Sequence, residues 1–313
     1  MAFPPQAMGR FLRDYLTSLT DARVSLHSFL AGVSLFLFDL LTFNLFSSLH
    51  PKLATWLLLR LGVYIMYVCL LAGSLVVMFP VNSFKSYLPN AVRAFFLGLV
   101  FGLGLILTFR SLSLPYWRFG LYLCLLSFFH WSEYYVTALK NPDILQIEFY
   151  MLSHSKAYHM AAVSSWLEFW LEAWLLPDWL KFGCTWISLI GLLICMCGEA
   201  LRKAAMITAA SNFNHYIQHV RKSGHVLVTH GVYAAFRHPS YVGWFYWSIG
   251  TQLLLANPVC VVAYAVASWT FFSVRIQEEE IILINFFGEQ YFDYQRRVGT
   301  GLPFIKGYRL DIP

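Results

Sequence analysis

The amino-acid sequence predicts an all-α, polytopic integral membrane protein with about eight transmembrane helices. Three observations carry that fold class: the composition, the lengths of the apolar runs and the placement of basic residues. Of the 313 residues, 58% are hydrophobic and 12% charged, against about 25% charged in a soluble globular domain; the mean hydropathy is +0.59. Half the usual charge leaves too little polar surface to face water on every side. Much of the surface must face lipid, where a helix satisfies its own backbone hydrogen bonds.

A helical crossing needs roughly 20 mostly apolar residues. The runs of that kind are 24–47, 53–79, 91–110, 114–138, 157–176, 182–207, 239–256 and 258–284. Prolines at 51, 80, 89, 115, 142 and 177 mark several of their ends. Gly98, Gly102 and Gly104 give the third run small residues at helical spacing, which predicts close helix packing in lipid. Gly102-Leu103-Gly104 is no nucleotide loop, because no phosphate-cradling turn follows a strand there. The fifth run is the weakest: Glu168 and Glu172 lie inside it at i,i+4 spacing, which predicts a tilted or partly inserted segment. The last two runs form a hairpin that turns at Asn257-Pro258. Residues 1–23 carry Arg10, Arg13, Asp14, Asp21 and Arg23 without an apolar core, so no cleaved signal peptide is expected.

With eight crossings both termini share one side. That side holds 17 of the 22 Lys and Arg residues and the other holds 5 (Lys52, Arg60, Arg110, Arg118 and Lys181). The positive-inside rule then predicts cytosolic termini. The formal charge of +6 reads as a topology signal, and no nucleic-acid partner is expected. The six cysteines (69, 124, 184, 195, 197 and 260) all lie in apolar runs without zinc-type spacing, so free thiols are expected.

The character of the chain changes near residue 207, which divides it into N-terminal transmembrane helices (1–206) and a C-terminal region (207–313) made of a connector, the helical hairpin and a charged aromatic tail on the cytosolic side. The connector, 207–238, is polar and holds five of the ten histidines: His215, His219, His225, His230 and His238. His215-x3-His219 is spaced for one helix face, but no second box and no nearby carboxylate joins it, and Arg221 and Lys222 would repel a cation. No metal site is predicted. Arg237-His238-Pro239 stands at a helix entrance, with Pro239 fitting the first turn. It suits either a positive interface anchor or a site for an anionic ligand at free backbone N–H groups. Arg275 and Glu279 share a helix face at the end of the last run, beside Glu278 and Glu280. They fit a surface ion pair or a functional site, since charges beside a bilayer are costly and a guanidinium can hold both oxygens of a carboxylate. The sequence contains no GxSxG, HExxH or Rossmann GxGxxG motif.

Taken together and in order, His225-Val226-Leu227-Val228-Thr229, Gly231-Val232-Tyr233, Arg237-His238-Pro239-Ser240-Tyr241-Val242-Gly243, Asn257-Pro258, Glu278-Glu279-Glu280 and Tyr291 through Gly301-Leu302-Pro303-Phe304 resemble the isoprenylcysteine carboxyl methyltransferases. The resemblance runs from about 200 to 309; the N-terminal half matches in span pattern more than in motif.

The resemblance implies a non-Rossmann methyltransferase with S-adenosylmethionine as cofactor, S-adenosylhomocysteine as product and no metal. It implies cofactor contacts from Gln218, His225, Val226, Leu227, Val228, Tyr233, His238, Pro239, Ser240, Tyr241 and Glu279. It implies that Arg275 binds the substrate carboxylate, so that Arg275 and Glu279 carry catalysis. The implied reaction is methyl esterification of the C-terminal α-carboxylate of prenylated cysteine in processed CaaX proteins such as small GTPases. Its implied place is the endoplasmic reticulum membrane, with the site on the cytosolic side and membrane lipids around it. Two other readings share parts of this pattern. A phospholipid N-methyltransferase would use the same cofactor on an amine, which Arg275 would repel; a sterol reductase-like enzyme would take hydride from NADPH.

Overall fold

The computed structural model describes residues 20–37, 61–67, 84–112, 116–153, 155–177 and 185–308. Among them, regular structure is helical throughout. The helices are α1 (20–37), α2 (61–67), α3 (Phe84–Arg110), α4 (Tyr116–Lys140), α5 (Lys156–Leu175), α6 (Thr185–Ala209), α7 (Pro239–Leu255), α8 (Pro258–Phe287) and α9 (Glu289–Arg297). Runs 24–47 and 53–79 lie partly outside the described residues, as do Cys69 and Cys184. Among the described residues two helices, Ser86–Arg110 and Pro258–Phe287, are long and apolar enough to cross a membrane. At 1.5 Å per residue α8 is about 45 Å long, and α7 is about 25 Å, at the short end for a crossing.

The chain divides into two compact units. The first holds α1 to α4, with Tyr150–Leu152. In it α1 and α3 meet backbone to backbone: a side chain added at Gly98 would strike the Phe29 carbonyl, and one at Gly32 the Phe95 carbonyl. The close packing expected of the third run is therefore present: Gly98 and Gly102 meet α1, and Gly104 meets α4 at Gly120. A polar cluster lies beneath these helices. Asn90 donates to Asp21 (3.2 Å) and accepts from the Tyr150 phenol (2.7 Å), which shares a 2.9 Å hydrogen bond with Ser25. Each buried polar group in this cluster finds a partner, as a water-poor interior demands.

The second unit holds α5 to α9. Its polarity runs opposite to that of a soluble domain. Large apolar side chains point outward, with Trp174 82% and Trp186 76% exposed, while Glu199, Arg202, Arg237 and Glu280 are buried. Helices α6 and α7 lie against each other along two glycine pairs with the same seven-residue spacing. A Cβ on Gly198 would sit 2.6 Å from the Gly243 carbonyl oxygen, and one on Gly250 would sit 2.9 Å from the Cys195 nitrogen. Gly191 faces the α7 backbone at Leu254 in the same way. This is small-residue packing, in which the absence of side chains lets two backbones touch.

The hairpin turn is anchored by Asn257. Ala256 takes a left-handed conformation (φ 55°), and Asn257, fully buried, donates to the Ser165 carbonyl (2.9 Å) and to Gln252 (3.2 Å). The Asn257 side chain does not cap α8. Instead the Glu168 carboxylate, reaching from α5, accepts from the backbone N–H groups of Val259 and Cys260 at 2.7 Å each. A helix N-terminus has free donors and a positive dipole end, so the acid that weakens the fifth run as a crossing caps the eighth.

After α9 the chain folds back on the hairpin. Leu302 and Ile305 join Val242, Phe245, Phe272 and Ile276 in one buried cluster. The described cysteines, Cys124, Cys195, Cys197 and Cys260, are free thiols.

Candidate active site

The connector, the start of α7 and the last turns of α8 enclose one cleft. Three contacts hold the connector there. Asn141 donates to the Phe213 carbonyl (2.7 Å), the Asn212 side chain accepts from the Val226 N–H (2.8 Å), and Arg221 donates to the Phe286 carbonyl (2.5 Å). Residues 213–220 are irregular, so His215 and His219 do not share a helix face as their spacing suggested. His215 stacks instead on Phe149, with ring centroids 4.4 Å apart. Among the described residues no three His, Cys, Asp or Glu side chains group as metal ligands would.

The cleft holds about 910 Å³ of empty space, its open mouth included. Its wall includes Gln218, His225, Val226, Leu227, Val228, Tyr233, His238, Pro239, Ser240, Tyr241 and Glu279, the residues singled out from the motif. Asn212, Phe213, Asn214 and Tyr216 also line it, as do Phe286 and Phe287 from the end of α8. Nothing in the sequence singles out this second group, because aromatics and amides in a loop have no periodicity to betray which cavity they face.

Arg275 stands one helical turn before Glu279 and is not part of the wall. It is linked to the wall through Tyr241. Arg275 Nε donates to the Tyr241 phenol (2.9 Å), and that phenol donates to Glu279 Oε2 (2.5 Å). A second Arg275 nitrogen, Nη2, donates to the His215 carbonyl (2.7 Å), and the guanidinium lies 5.7 Å from the Tyr241 ring centre. Among the described residues Nη1 has no hydrogen-bond partner. The Tyr241 ring also stacks parallel to His238 at 5.5 Å.

Glu280 has a different task. Fully buried, it accepts from Arg237 Nε (2.8 Å), His238 Nε2 (3.1 Å), the Tyr291 phenol (3.2 Å), Gln295 (3.1 Å) and the Tyr308 N–H (2.7 Å). The remaining Arg237 donors reach the carbonyls of Gln295, Val298 and Lys306. Arg237 lines the cleft, and its guanidinium also clamps the tail to α8. Arg202 is a buried charge the sequence reading passed over. Its guanidinium lies 4.7 Å from the Trp244 ring centre and donates to the Ser240 hydroxyl (2.7 Å), fixing the first turn of α7.

Electrostatics in the connector favour a neutral histidine. Burial holds the His225 pKa below its ordinary 6.5, the Arg221 and Lys222 charges push the same way, and Glu279 opposes them. Burial, then the Glu279 charge, raises the Tyr233 phenol, and burial raises that of Tyr294. Both stay protonated, and Tyr294 donates to the Tyr233 carbonyl at 2.6 Å.

Comparison with known proteins gives one consistent result. The model of the isoprenylcysteine carboxyl methyltransferase (ICMT) family matches residues 189–285. The human protein-S-isoprenylcysteine O-methyltransferase is 49% identical over 293 residues, covering 94% of this chain and 96% of that protein. The enzyme of the same name from Xenopus laevis is 48% identical, with 94% and 98% covered. A solved structure described as the eukaryotic intramembrane Ras methyltransferase ICMT superposes with a TM-score of 0.77 at 44% identity, covering 92% of this chain and 99% of that one. These relatives favour neither the phospholipid N-methyltransferase nor the reductase. The chain belongs to the isoprenylcysteine carboxyl methyltransferase family.

Proposed function

We propose that this chain is a membrane-bound, S-adenosylmethionine-dependent enzyme that methyl-esterifies the C-terminal α-carboxylate of S-prenylcysteine on processed CaaX proteins, small GTPases among them. The observation that carries this reading is the gathering of motif residues from three separate segments, 218–233, 238–241 and 279, around one cleft beside a linked arginine. The names of the relatives support the reaction. The charge asymmetry supports eight crossings, with both termini and the site on the cytosolic face of the endoplasmic reticulum membrane and with catalysis in 207–313.

The cleft suits the cofactor. Its aromatic and aliphatic walls match an adenine ring, its amides match a ribose diol, and Glu279, side chain 30% exposed, is a carboxylate for a cationic ligand. A neutral His225 adds no opposing charge. When bound, S-adenosylmethionine supplies an electrophilic methyl group.

The acceptor needs no general base, because an α-carboxyl group with a pKa near 3.5 is ionised at neutral pH. The task left to the protein is to orient that carboxylate and strip water from it. Arg275 does the orienting. Its Nε and Nη2 are held by Tyr241 and His215, which fixes the plane of the guanidinium and leaves Nη1 to point at the substrate. Tyr241 ties that arginine to Glu279 on the cofactor wall, so the two reactants are registered through one phenol.

The test separates these roles. Arg275→Ala should lower kcat/KM for a prenylcysteine acceptor at least ~100-fold, the loss of about 3 kcal/mol expected when a charged hydrogen-bonding partner is removed. Cofactor affinity measured by calorimetry should change less than about threefold, equivalent to under 1 kcal/mol. A collapse of cofactor binding in this variant would contradict the assigned role.

A further inference from the structure

The segment after α9 carries an aromatic ring that the protein does not cover. Leu302 and Ile305 are buried in the hairpin core, yet Phe304 between them is 94% exposed. Its backbone has φ 63°, a left-handed conformation that a bulky residue rarely takes. That conformation sends the ring outward while both apolar neighbours turn in.

Several of the loop's carbonyls bond within the loop or to its neighbours. Gly299 O accepts from Arg237 N (2.8 Å), Lys306 O from Arg237 Nη2 (2.9 Å), and Val298 O from Arg237 Nη1. Thr300 donates to Ile305 O (2.5 Å), and Pro303, which has no N–H, gives its carbonyl to Trp269 Nε1 (2.8 Å). Irregular backbone at membrane depth requires such partners, because lipid offers no hydrogen bonds.

The loop also runs along α8. It leaves Glu280, which accepts from Tyr308 N, and reaches Trp269, roughly 16 Å along the helix axis at 1.5 Å per residue. Trp269 shares a helix face with Val266 and Val262, which are 61% and 63% exposed. That face belongs to a helix long enough to cross a membrane. Phe304 extends an outward apolar surface already present, and exposed Lys306 sits two residues away.

We propose that residues 299–306 form a re-entrant loop that inserts Phe304 among the acyl chains of the membrane, with Lys306 at the level of the lipid phosphates. An aromatic ring beside a lysine is the pairing found at membrane interfaces, where the ring sits low and the long cation reaches up. Lipid, rather than a protein partner, is the occupant because the ring continues the outward apolar face of α8, a helix long enough to cross a membrane. The loop is joined to Glu280, so the end of α8 that carries Glu279 is seated on the bilayer through it.

The experiment places photoreactive benzoylphenylalanine at position 304 of the full chain in nanodiscs of phosphatidylcholine and phosphatidylserine. Irradiation should add the mass of one phospholipid at 304, as it should at 266, and none at Lys222 in the connector. A lipid adduct at 266 with none at 304, or a protein adduct at 304, overturns the proposal. Hydroxyl-radical footprinting of the unmodified chain in the same discs gives a check without substitution. Phe304 should oxidise at least tenfold more slowly than Tyr216, which is 54% exposed; comparable rates overturn it.

Discussion

Three consecutive glutamates at the end of α8 meet three environments: Glu278 is exposed, Glu279 lines the cleft and Glu280 is buried in the Arg237 clamp. Their helical spacing alone turns each by about 100° from the last, so adjacent identical residues cannot share a fate. The sequence could show that Arg275 and Glu279 face one side. It could not show the Tyr241 phenol between them, because that group comes from another helix. The cleft's second residue-scale property is the neutrality of His225. Its pKa in the folded protein lies below 6.5, so the neutral form is the one the fold favours. The stabilisation is complete above the unfolded value of about 6.5 and is lost as pH falls toward the depressed folded value. Affinity for the cationic cofactor should weaken severalfold between pH 7.5 and 5.5. In His225→Asn the same titration by calorimetry should be flatter; an unchanged acid limb would assign the loss elsewhere.

At the scale of elements, hydropathy located most of the helices that are described, since runs of apolar residues broken by proline are what a membrane-facing helix requires. Pairing was less legible. Gly98 and Gly102 signalled close packing, but the matching pairs Gly191/Gly198 and Gly243/Gly250 did not stand out, because glycine barely changes an averaged hydropathy. Only the crossing of α6 and α7 reveals that each glycine meets a backbone. Gly198→Leu should therefore cost about 1–3 kcal/mol from overpacking, and more where the helices cannot part. Gly62→Ala, placed where nothing among the described residues lies within 4 Å, should be neutral or mildly stabilising. Thermal unfolding of both variants in one detergent checks the contrast. Glu168 shows the same limit: an acid in an apolar run counts against a crossing by composition, whereas its actual partner is a helix end reached only after folding.

For the whole molecule, the second unit is closed by one buried ion pair. Arg237 and Glu280 join the start of α7, the end of α8 and the returning tail. The sequence marked both residues as part of a motif, and a motif does not show which of its members pair with each other. Removing one partner strands a buried charge, so Arg237→Ala should destabilise by about 3–5 kcal/mol, while replacing both by methionine should recover most of that. Unfolding curves of the single and double variants decide this; equal losses in both would mean that the pair is not the closing element. In the proposed topology, with both termini in the cytosol, this clamp lies on the cytosolic side as well, where a water-soluble cofactor and a lipid-borne substrate can meet.

The most direct test of the account is methyl transfer from labelled S-adenosylmethionine to N-acetyl-S-farnesylcysteine by the purified chain in lipid. A base-labile methyl ester should form on that acceptor and none on its C-terminal amide. Equal labelling of the amide, or no transfer by a folded protein that binds the cofactor, would contradict it.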